Sequence, residues 1–529
     1  MFSLSDEGSF ILPSSFNPPI LPAPKSSSSL RLTGSPARVF LDSAAYIADR
    51  KNGTFAETTT RTGQAVGVSF WIADPPAVSH MCIHCPGMKV TDLMEEPIVV
   101  GAGKDIAVIR IAYTYGARPI ESMKDLGVTD FDYLVYRAHT EKPSLELLPN
   151  PKPLFFNPRE IGFLASADGG GDFMMAVIRP ETGQLEYALH IFSSKTNSWT
   201  TRLVLLEPPS PRYEHEYLVH ETDFVISVEG GTLGWVDLWR GIMLCNVLDS
   251  NPVLRYIHFP EPMAGNMIMY LQTCARAFRD VTCSNGFIRL IEIAETRMMV
   301  DAAKGSNGPR DRTIGTHTTE SYNSDRWVAV TWKTATSSNR WTKDCTAYVS
   351  ERAISPVLMD NNHESELENL VLAGPVWSMH EEDNFHLMIK ADMKDKIAWA
   401  FTINVRKSTL EGVTSFPEGR NLFLKLEYHP FILSKYLNMT LGNHKVAASS
   451  QIQEREDSRN KPSNAMVLVK GLDPYVTENQ LKDILSMFGE PFYLKLDAKE
   501  RYALVQFARR SCAEEAIRAL NGAWIGMML

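Results

Sequence analysis

The chain has 529 residues, of which 44% are hydrophobic and 22% are charged, and it carries a formal net charge of −9. This length predicts two or three folded domains, and the composition is typical of packed globular proteins rather than disordered ones. The acidic balance excludes a general nucleic-acid coat protein, so any nucleic-acid site must be local, and DNA is not an expected partner.

Two further protein classes are excluded by sequence patterns. No apolar run approaches the roughly 20 residues that span a bilayer, so no membrane partner is expected. The seven cysteines are an odd number and are spread along the chain, which predicts reduced thiols rather than a disulfide framework. We therefore expect an intracellular protein of the nucleus, the cytoplasm or both.

Residues 1–35 are predicted to form a flexible leader rich in Ser and Pro, with Pro18-Pro19 and a run of four serines at 26–29. The leader is poor in Arg and contains the acidic pair Asp6-Glu7, which argues against a transit peptide. It also lacks the charged and then apolar start of a secretory signal.

Residues 36–440 are predicted to form a mostly β body, because short runs rich in Val, Ile, Phe and Trp alternate with turn dipeptides. The recurrence of aromatic-anchored hairpins without a strict period predicts an irregular β-propeller, with a β-sandwich as the alternative. The predicted strand pairs are residues 189–192 with 199–204, 235–244 with 253–259, 287–293 with 327–332, and 385–389 with 398–405.

The body resembles a plant domain-of-unknown-function family, number 1618. The likeness is strongest in residues 233–242 (LGWVDLWRGI) and 252–256 (PVLRY). Shorter matches occur at residues 39–42, 46–50, 73–76, 278–281 and 398–400. The resemblance implies a plant protein and carries no established activity, although the body is expected to have a partner, for which a protein is a candidate.

The segment Cys82-Ile83-His84-Cys85, preceded by His80, is the one cluster in the sequence with the spacing of metal ligands. A structural zinc site needs four ligands, commonly two such pairs, and no second Cys-x-x-Cys occurs. Because cysteine is among the most buried residue types, we expect a buried, metal-free strand end.

No other segment of the body predicts catalysis. Residues 168–172 (DGGGD) and 229–234 (EGGTLG) are expected to be turns, since the second lacks the Lys-Ser/Thr of a phosphate-binding loop. The acidic run 380–383 is expected to be a solvated turn. The tryptophans are expected to be core anchors rather than a ligand cage: Trp235, Trp239, Trp327, Trp332, Trp377 and Trp399. We expect neither an enzyme nor a cofactor.

Residues 441–463 are polar and dense in charge, which predicts a linker. Residues 464–529 then carry strand, helix, strand, strand and helix signals in order. Capping-box spacings occur at 477–480 and 511–514, and Leu481, Leu485 and Ala516 are among the inward positions of the two helices. This order predicts a small α+β fold of the ferredoxin-like type.

Residues 467–472 (VLVKGL) and 500–507 (ERYALVQF) resemble the two ribonucleoprotein motifs of RNA-recognition motif (RRM) domains. The sequence of this segment is similar to that of the third RRM of plant oligouridylate-type, poly(A)-mRNA-associated proteins. The resemblance implies RNA binding on the open face of the sheet, where bases stack on flat side chains. The family's three stacking positions fall on Leu468, Tyr502 and Leu504.

Strand alternation places Ala503, Val505 and Phe507 toward the helices, and the intervening residues on the open face. The predicted RNA-binding residues are the aromatic Tyr502 and Tyr493, the apolar Leu468 and Leu504, the cationic Lys470, Lys495 and Arg501, and Gln506.

Charge and length both predict weak RNA binding. Residues 464–529 contain eight Lys or Arg and eight Asp or Glu, so the module lacks the basic patch that usually attracts phosphates. The sequence stops before the family's fourth strand, which predicts an unpaired edge on the first strand. The sequence thus predicts a protein that binds single-stranded RNA, with mRNA as the expected class. The alternative is a non-enzymatic protein-interaction scaffold with a vestigial or protein-binding RRM.

Overall fold

The structure is a computed structural model of the whole chain. It describes residues 2–4, 13–16, 18–19, 39–73, 77–88, 92–113, 130–138, 142–151, 154, 156–166, 171–181, 185–207, 220–267, 274–295, 325–350, 354, 371–378, 381–390, 397–417, 428–431, 465–470, 477–478, 481–482, 485, 491–497, 502–507 and 516.

Most of the described residues form β-strands joined by turns and short 3-10 helices, and α-helical positions are described at residues 354, 478, 481–482, 485 and 516. The first fourteen strands are β1 (Phe2–Leu4), β2 (Val39–Asp42), β3 (Tyr46–Ile47), β4 (Ala56–Thr59), β5 (Ala65–Trp71), β6 (His80–His84), β7 (Ile98–Gly103), β8 (Ile106–Tyr113), β9 (Asp130–Arg137), β10 (Ser144–Leu148), β11 (Gly162–Ala165), β12 (Phe173–Pro180), β13 (Glu186–Ser193) and β14 (Ser198–Leu206).

The remaining strands run to the C-terminal module. They are β15 (Phe224–Val228), β16 (Thr232–Asp237), β17 (Gly241–Asn246), β18 (Val253–His258), β19 (Arg279–Ser284), β20 (Phe287–Glu295), β21 (Asp325–Ala335), β22 (Thr342–Ser350), β23 (Val371–Trp377), β24 (Asn384–Lys390), β25 (Ile397–Asn404), β26 (Thr409–Pro417), β27 (Tyr428–Phe431), β28 (Ala465–Lys470), β29 (Pro491–Asp497) and β30 (Tyr502–Phe507). The 3-10 helices are Pro13–Phe16, Pro158–Glu160, Glu229–Gly231, Ala264–Asn266 and Ala275–Ala277.

The described body contains six four-stranded units, which we number in chain order as the first (β3–β6), second (β7–β10), third (β11–β14), fourth (β15–β18), fifth (β19–β22) and sixth (β23–β26) sheets. In the second to sixth, consecutive strands pair antiparallel as up-and-down meanders. The third and fourth sheets are joined by a short parallel pairing, with Leu205 opposite Val253 and Leu206 opposite Leu254.

The six sheets follow one another in chain order, each packed against the next. The first strands of neighbouring sheets lie in contact, from β7 to β11, β15, β19 and β23, and β27 contacts β7. Strand β2, near the start of the body, pairs antiparallel with β27, near its end, with Val39 opposite Phe431. The body is therefore propeller-like, as predicted, rather than a sandwich of two stacked sheets.

Strand β8 shows why this body lacks a simple alternation of apolar and polar residues. All eight of its residues are buried. Ala107, Ile109 and Ile111 belong to the hydrophobic core shared with the first sheet. Ile106 and Val108 belong to the core shared with the third sheet. Because both faces of β8 pack against other sheets, apolar residues occupy both faces, and Arg110 is the charged exception.

Three of the four predicted strand pairs are confirmed by their register. Phe192 lies opposite Trp199, Leu290 opposite Trp332, and Phe385 opposite Ile403.

The fourth predicted pair, residues 235–244 with 253–259, is confirmed only for residues 241–244, which pair with 255–258. Residues 235–237 belong to a separate strand, β16, because a turn interrupts the predicted run. The Asp237 side chain accepts hydrogen bonds from the backbone N–H groups of Trp239 and Arg240, both at 3.1 Å. This Asx turn reverses the chain without Gly or Pro inside it, so the usual turn signal was missing.

The predicted tryptophan anchors lie in the interior. Trp235 and Trp327 are completely buried, and Trp239, Trp377 and Trp399 are less than one-tenth exposed. Trp235 Nε1 donates to the Glu160 carbonyl at 2.8 Å, which ties the fourth sheet to the turn before the third. These five side chains fill the spaces between sheets, which confirms the core interpretation for them, whereas the sixth predicted anchor, Trp332, is only half-buried.

A buried ion pair lies within the fifth sheet, where Arg279 of β19 is directly opposite Glu292 of β20. Arg279 and Glu292 side chains are both 0% exposed and lie 2.8 Å apart. The Arg279 guanidinium also donates to the carbonyls of Leu238 and Pro260, and the Glu292 carboxylate accepts from the Met263 backbone and the Asn266 side chain. Each buried charge is thus surrounded by hydrogen-bond partners, the condition under which such a pair is tolerated.

A second group of charged side chains links the fifth sheet to the turn between β25 and β26. The Asp344 carboxylate lies 2.7 Å from Lys333, 3.3 Å from Arg406 and 3.6 Å from Arg289. Burial opposes its ionisation, but the hydrogen bond from Lys333 and the three positive charges outweigh it and lower the pKa of Asp344.

Part of the predicted leader packs against the body. The Ser15 side chain is completely buried and donates a hydrogen bond to Glu96 Oε1 at 2.8 Å. Phe16 packs against the core of the first sheet, and Arg50 donates to the Pro19 carbonyl at 3.3 Å. The predicted domain boundaries remain predictions, but this short segment is anchored to the body.

Candidate nucleic-acid interface

The C-terminal module contains a four-stranded sheet in the order β1-β28-β30-β29. Strands β28 and β30 pair antiparallel, with Leu468 opposite Leu504 and Lys470 opposite Tyr502. Strand β29 pairs with the other edge of β30. The three predicted strands of the module are therefore present and adjacent.

One face of this sheet is covered by helical residues, as predicted. Ala503 and Val505 of β30 are completely buried, and so are Leu481, Leu485 and Ala516, which lie at helical positions. The Leu481 backbone N–H donates to the Thr477 carbonyl at 3.0 Å, which places the first helical turn at the predicted capping box. The inward positions predicted from alternation and helical spacing are confirmed for these five residues.

The opposite face carries the predicted RNA-binding positions in three rows across the strands. Residues opposite each other on paired strands share a face, and rows two residues apart alternate with the buried rows of Ala503 and Val505. The rows are Lys470, Tyr502 and Asp497; Leu468, Leu504 and Lys495; and Met466, Gln506 and Tyr493. Seven of the eight predicted residues are thus gathered on one face, and Arg501 lies outside the described residues.

The register between β29 and β30 determines whether Tyr493 and Tyr502 can stack on neighbouring bases. Tyr493 lies opposite Gln506, four residues along β30 from Tyr502. At a rise of about 3.3 Å per residue, the two positions are about 13 Å apart along the strand direction. They therefore cannot stack on two directly neighbouring bases, and Tyr493 is suited to a more distant nucleotide.

Two members of these rows, Met466 and Asp497, were not among the predicted RNA-binding residues, and Asp497 changes the charge of the site. Asp497 lies directly opposite Tyr502, with Lys470 on the other side of the same row. An acidic residue beside the main stacking position opposes the approach of a phosphate. The position of Asp497 opposite Tyr502 depends on the register shift between Pro491 and Tyr493, and no local pattern in the sequence predicts that shift.

The prediction of an unpaired edge on the module's first strand is wrong. Strand β1, at the other end of the chain, pairs antiparallel with β28, with Ser3 opposite Leu468. A three-residue strand 463 positions away in sequence carries no local signal that could have identified this pairing. The predicted absence of a fourth strand concerns residues after 516, which lie outside the described part of the chain.

The cysteine and histidine cluster of the body lies on β6 and just beyond it. His80 is 1% exposed, stacks on Trp71 with 6.2 Å between ring centroids, and meets the edge of Tyr46 at 5.3 Å. Cys82 is buried, and burial raises the pKa of the Cys85 thiol to about 12, so its thiolate is disfavoured. Within the described residues, no group of three or more His, Cys, Asp or Glu side chains is placed to hold a metal ion.

The remaining predicted turns have structural roles. Glu229–Gly231 is a 3-10 turn between β15 and β16, as predicted, and Gly230 and Gly231 adopt φ values of 73° and 84°. Glu382 and Asp383 lie in the turn before β24, where they face Arg289 and Arg406 of the charged group described above. The other predicted turn, at 168–172, lies largely outside the described residues. Among the helices that the structure describes, none is long and apolar enough to cross a membrane.

Two family models match separate parts of the chain. Residues 235–386 match a family described as proteins of unknown function, DUF1618. Residues 467–528 match the RNA recognition motif. The first match includes the segments around 235–242, 252–256 and 278–281 on which the body's resemblance rests, and it covers part of the fourth sheet, all of the fifth and part of the sixth.

Curated relatives resemble only a short part of this chain. Polyadenylate-binding protein RBP45B of Arabidopsis thaliana is 48% identical over 67 residues, which are 13% of this chain and 16% of that protein. RNA-binding protein L of Oryza sativa subsp. japonica is 35% identical over 94 residues, 17% of this chain and 22% of that protein. The chain thus spans less than a quarter of either relative. The RRM match and these plant relatives together support RNA binding.

Solved structures resemble the body only distantly. Hydrazine synthase of Kuenenia stuttgartiensis has a TM-score of 0.26 and 11% identity, covering 67% of this chain and 78% of that chain. The β-propeller domain of the Trilobed protease of Pyrococcus furiosus has a TM-score of 0.20 and 9% identity, covering 64% and 96%. Such low scores establish nothing about the activity of this body. The chain therefore combines a β body, within which residues 235–386 match the DUF1618 family of unknown function, with a C-terminal RNA recognition motif over residues 467–528.

Proposed function

We propose that the C-terminal module binds single-stranded RNA, with mRNA as its natural class, on the open face of the β28-β30-β29 sheet. The observation that carries the proposal is the register that gathers Lys470, Tyr502, Leu468, Leu504 and Lys495 on one face, opposite the buried Ala503 and Val505. The protein acts by binding and not by catalysis, and it works in the nucleus, the cytoplasm or both.

Each position on this face has a distinct role in the proposal. Tyr502 is the main stacking platform, a contact that is typically worth about 1–3 kcal/mol per base. Leu468 and Leu504 supply apolar contact to a neighbouring base. Lys470 and Lys495 lie at opposite edges of the three-strand face, where a backbone crossing the sheet brings its phosphates.

The other proposed residues extend the site. Gln506 and Tyr493 form the far row, where an amide can hydrogen-bond a base edge and an aromatic ring can stack on a second, non-adjacent base. Arg501 adds a third positive charge next to Tyr502 in sequence.

The affinity is expected to be low and only moderately dependent on salt. The module carries eight basic and eight acidic residues, so few phosphates are neutralised on binding. For single strands, each neutralised phosphate contributes a slope of about −0.7 to the dependence of log K on log salt. With two or three cations on the face, we expect a slope of about −2.

The direct test is fluorescence anisotropy of the full chain with short labelled A-rich and U-rich RNA oligomers at low salt. The names of the relatives make the A-rich oligomer the first choice. Tyr502→Ala should weaken binding by about tenfold, or about 1.4 kcal/mol. Lys470→Ala and Lys495→Ala should each reduce the salt slope by about 0.7.

A matched control uses Lys482→Ala, because Lys482 is exposed and lies in the first helix, on the side of the sheet away from the proposed site. This variant should leave both affinity and salt slope unchanged. If the full chain shows no saturable binding at low salt, or if Tyr502→Ala binds as tightly as the parent, the stacking mechanism is excluded.

A protein-interaction scaffold is the second candidate, and a specific feature of the body favours it. Leu203 and Leu205 on β14 are 62% and 56% exposed, and Val253, directly opposite Leu205, is 48% exposed. Exposed apolar side chains clustered where the third and fourth sheets join are more typical of a contact surface than of a solvated one. In this case Leu203→Ser and Leu205→Ser would abolish co-purification of a protein partner without changing RNA affinity.

A further inference from the structure

The edge of the RRM-like sheet that faces away from β30 is occupied by the N-terminus of the same chain. Strand β1 pairs antiparallel with β28, with Phe2 opposite Val469, Ser3 opposite Leu468 and Leu4 opposite Val467. An exposed strand edge is a template for pairing with other chains, so its partner matters for both stability and assembly.

The sequence of β1 matches the position that the register assigns to it. Phe2 and Leu4 lie in the rows of Ala503 and Val505, which are completely buried on the helix side of the sheet. Ser3 lies in the row of Leu468 and Leu504, on the open face. The alternation of apolar, polar and apolar residues is therefore the pattern expected of a strand with one buried face, and a shift by one residue would reverse it.

The segment that follows β1 is anchored on the body. Ser15 is completely buried and hydrogen-bonded to Glu96, and Phe16 packs on the core of the first sheet. Eight residues, 5–12, separate Leu4 from Pro13, and a chain of this length spans at most about 30 Å. The anchor therefore limits how far the strand, and whatever it pairs with, can lie from the first sheet.

We propose that β1 and the Pro13–Phe16 turn together act as an intramolecular clasp: β1 pairs with the open edge of the RRM-like sheet, and the turn, anchored on the first sheet, limits how far that sheet can lie from the body. The clasp protects the edge of β28 from pairing with other chains. It adds a fourth strand beside Leu468 without covering the face that carries Tyr502, so RNA binding and edge closure are separate properties. Covalent connection through the body raises the effective concentration of β1 at the edge, which explains how so short a strand can pair.

Hydrogen exchange of the full chain tests the clasp, with peptides that cover residues 465–470 as the readout. Ser3→Pro removes a backbone N–H and restricts the chain inside β1 while leaving the charge unchanged. We expect amides of β28 that face β1 to exchange at least about tenfold faster in this variant. Ser28→Pro, in the serine run beyond the anchor, is the matched control and should leave their exchange unchanged.

A second variant and a control peptide complete the hydrogen-exchange test. Ser15→Ala, which removes the hydrogen bond to Glu96, should accelerate the same amides by a smaller factor, because β1 remains present but is less restrained. Exchange of β20 in the body should stay constant in all three variants, which shows that the body remains folded.

Unchanged exchange of residues 465–470 in Ser3→Pro would overturn the proposal. Protection that rises with protein concentration would also overturn it, since β1 would then come from a second copy of the chain. Neither outcome depends on RNA, so a failure of the clasp is distinguishable from a failure of RNA binding.

Discussion

The body and the C-terminal module differ in how their residues relate to function. The distinctive residues of the body lie in its interior. Trp235 and Trp327 fill spaces between sheets, and the ion pair of Arg279 and Glu292 is completely buried. The module buries small residues such as Ala503 and Val505 and places Tyr502 and Lys470 on its open face. The most distinctive residues of the body are therefore fixed by packing, whereas the class of binding partner is inferred from a few residues on the open face of the module's sheet.

This comparison predicts large effects on stability in the body and small effects on binding in the module. The largest effect is expected for Glu292→Gln, which leaves the buried Arg279 guanidinium without its counter-charge. Breaking such a pair typically costs about 3–5 kcal/mol. Urea unfolding followed by tryptophan fluorescence would measure the loss.

Glu411→Gln is the matched control for that measurement, because its partner Lys407 is 3.8 Å away and both side chains are at least one-third exposed. We expect its stability to change by less than about 0.5 kcal/mol. If the two variants were equally stable, the buried Arg279–Glu292 pair would contribute no more to the stability of the body than an exposed ion pair does.

The next largest effect is expected for Gly374→Ala in β23. Gly374 has φ +97°, and an added Cβ would overlap the Arg276 carbonyl oxygen of the turn before the fifth sheet. Backbone strain together with this overlap should cost about 3 kcal/mol. Thermal unfolding would report it as a lower Tm.

Gly412→Ala provides the comparison for Gly374→Ala. A Cβ at Gly412 meets its nearest neighbour, the Thr402 side chain, at 3.7 Å, which is ordinary contact. A similar Tm for both alanine variants would mean that the close approach between the fifth and sixth sheets is not required.

A smaller, pH-dependent effect is expected for Asp344→Asn. The pKa of Asp344 is lowered in the folded state, so its ionised form stabilises the fold above its ordinary pKa of 3.8, and this stabilisation disappears as pH falls through the lower folded value. At pH 7 the variant should lose about 1 kcal/mol, because the partners Lys333 and Arg406 are largely exposed. The difference from the parent should shrink below pH 4 in urea unfolding, and a constant difference would contradict the charge explanation.

The smallest effect is expected in the module. Asp497→Asn removes the negative charge opposite Tyr502 and should strengthen RNA binding by about 0.7 kcal/mol, or about threefold, at low salt. Glu478→Gln, an exposed charge on the first helix, should change affinity less. If the two variants strengthen binding equally, net charge rather than the proposed face controls affinity.

Much of the local structure could be predicted from the sequence because it depends on neighbours along the chain. Alternation placed Ala503 and Val505 inward, helical spacing placed Leu481 and Leu485 inward, and runs rich in aromatic and β-branched residues identified the pairs β13–β14 and β24–β25. These patterns reflect the two-residue period of a strand and the 3.6-residue period of a helix, which a linear sequence displays directly. The turn at Asp237 was missed because a side chain, rather than Gly or Pro, forms it.

By itself, the sequence determined that the chain has a mostly β body and a C-terminal RRM-like module, and which of that module's residues share a face. Only the tertiary structure decided the pairing of β2 with β27, the hydrogen bond from the buried Arg279 to the Leu238 carbonyl, the place of Asp497 beside Tyr502, and the pairing of β1 with β28. These contacts join residues that are distant in sequence, or depend on a register shift. Because a strand edge or a buried charge can be satisfied by many partners, its actual partner is selected by how the whole chain packs.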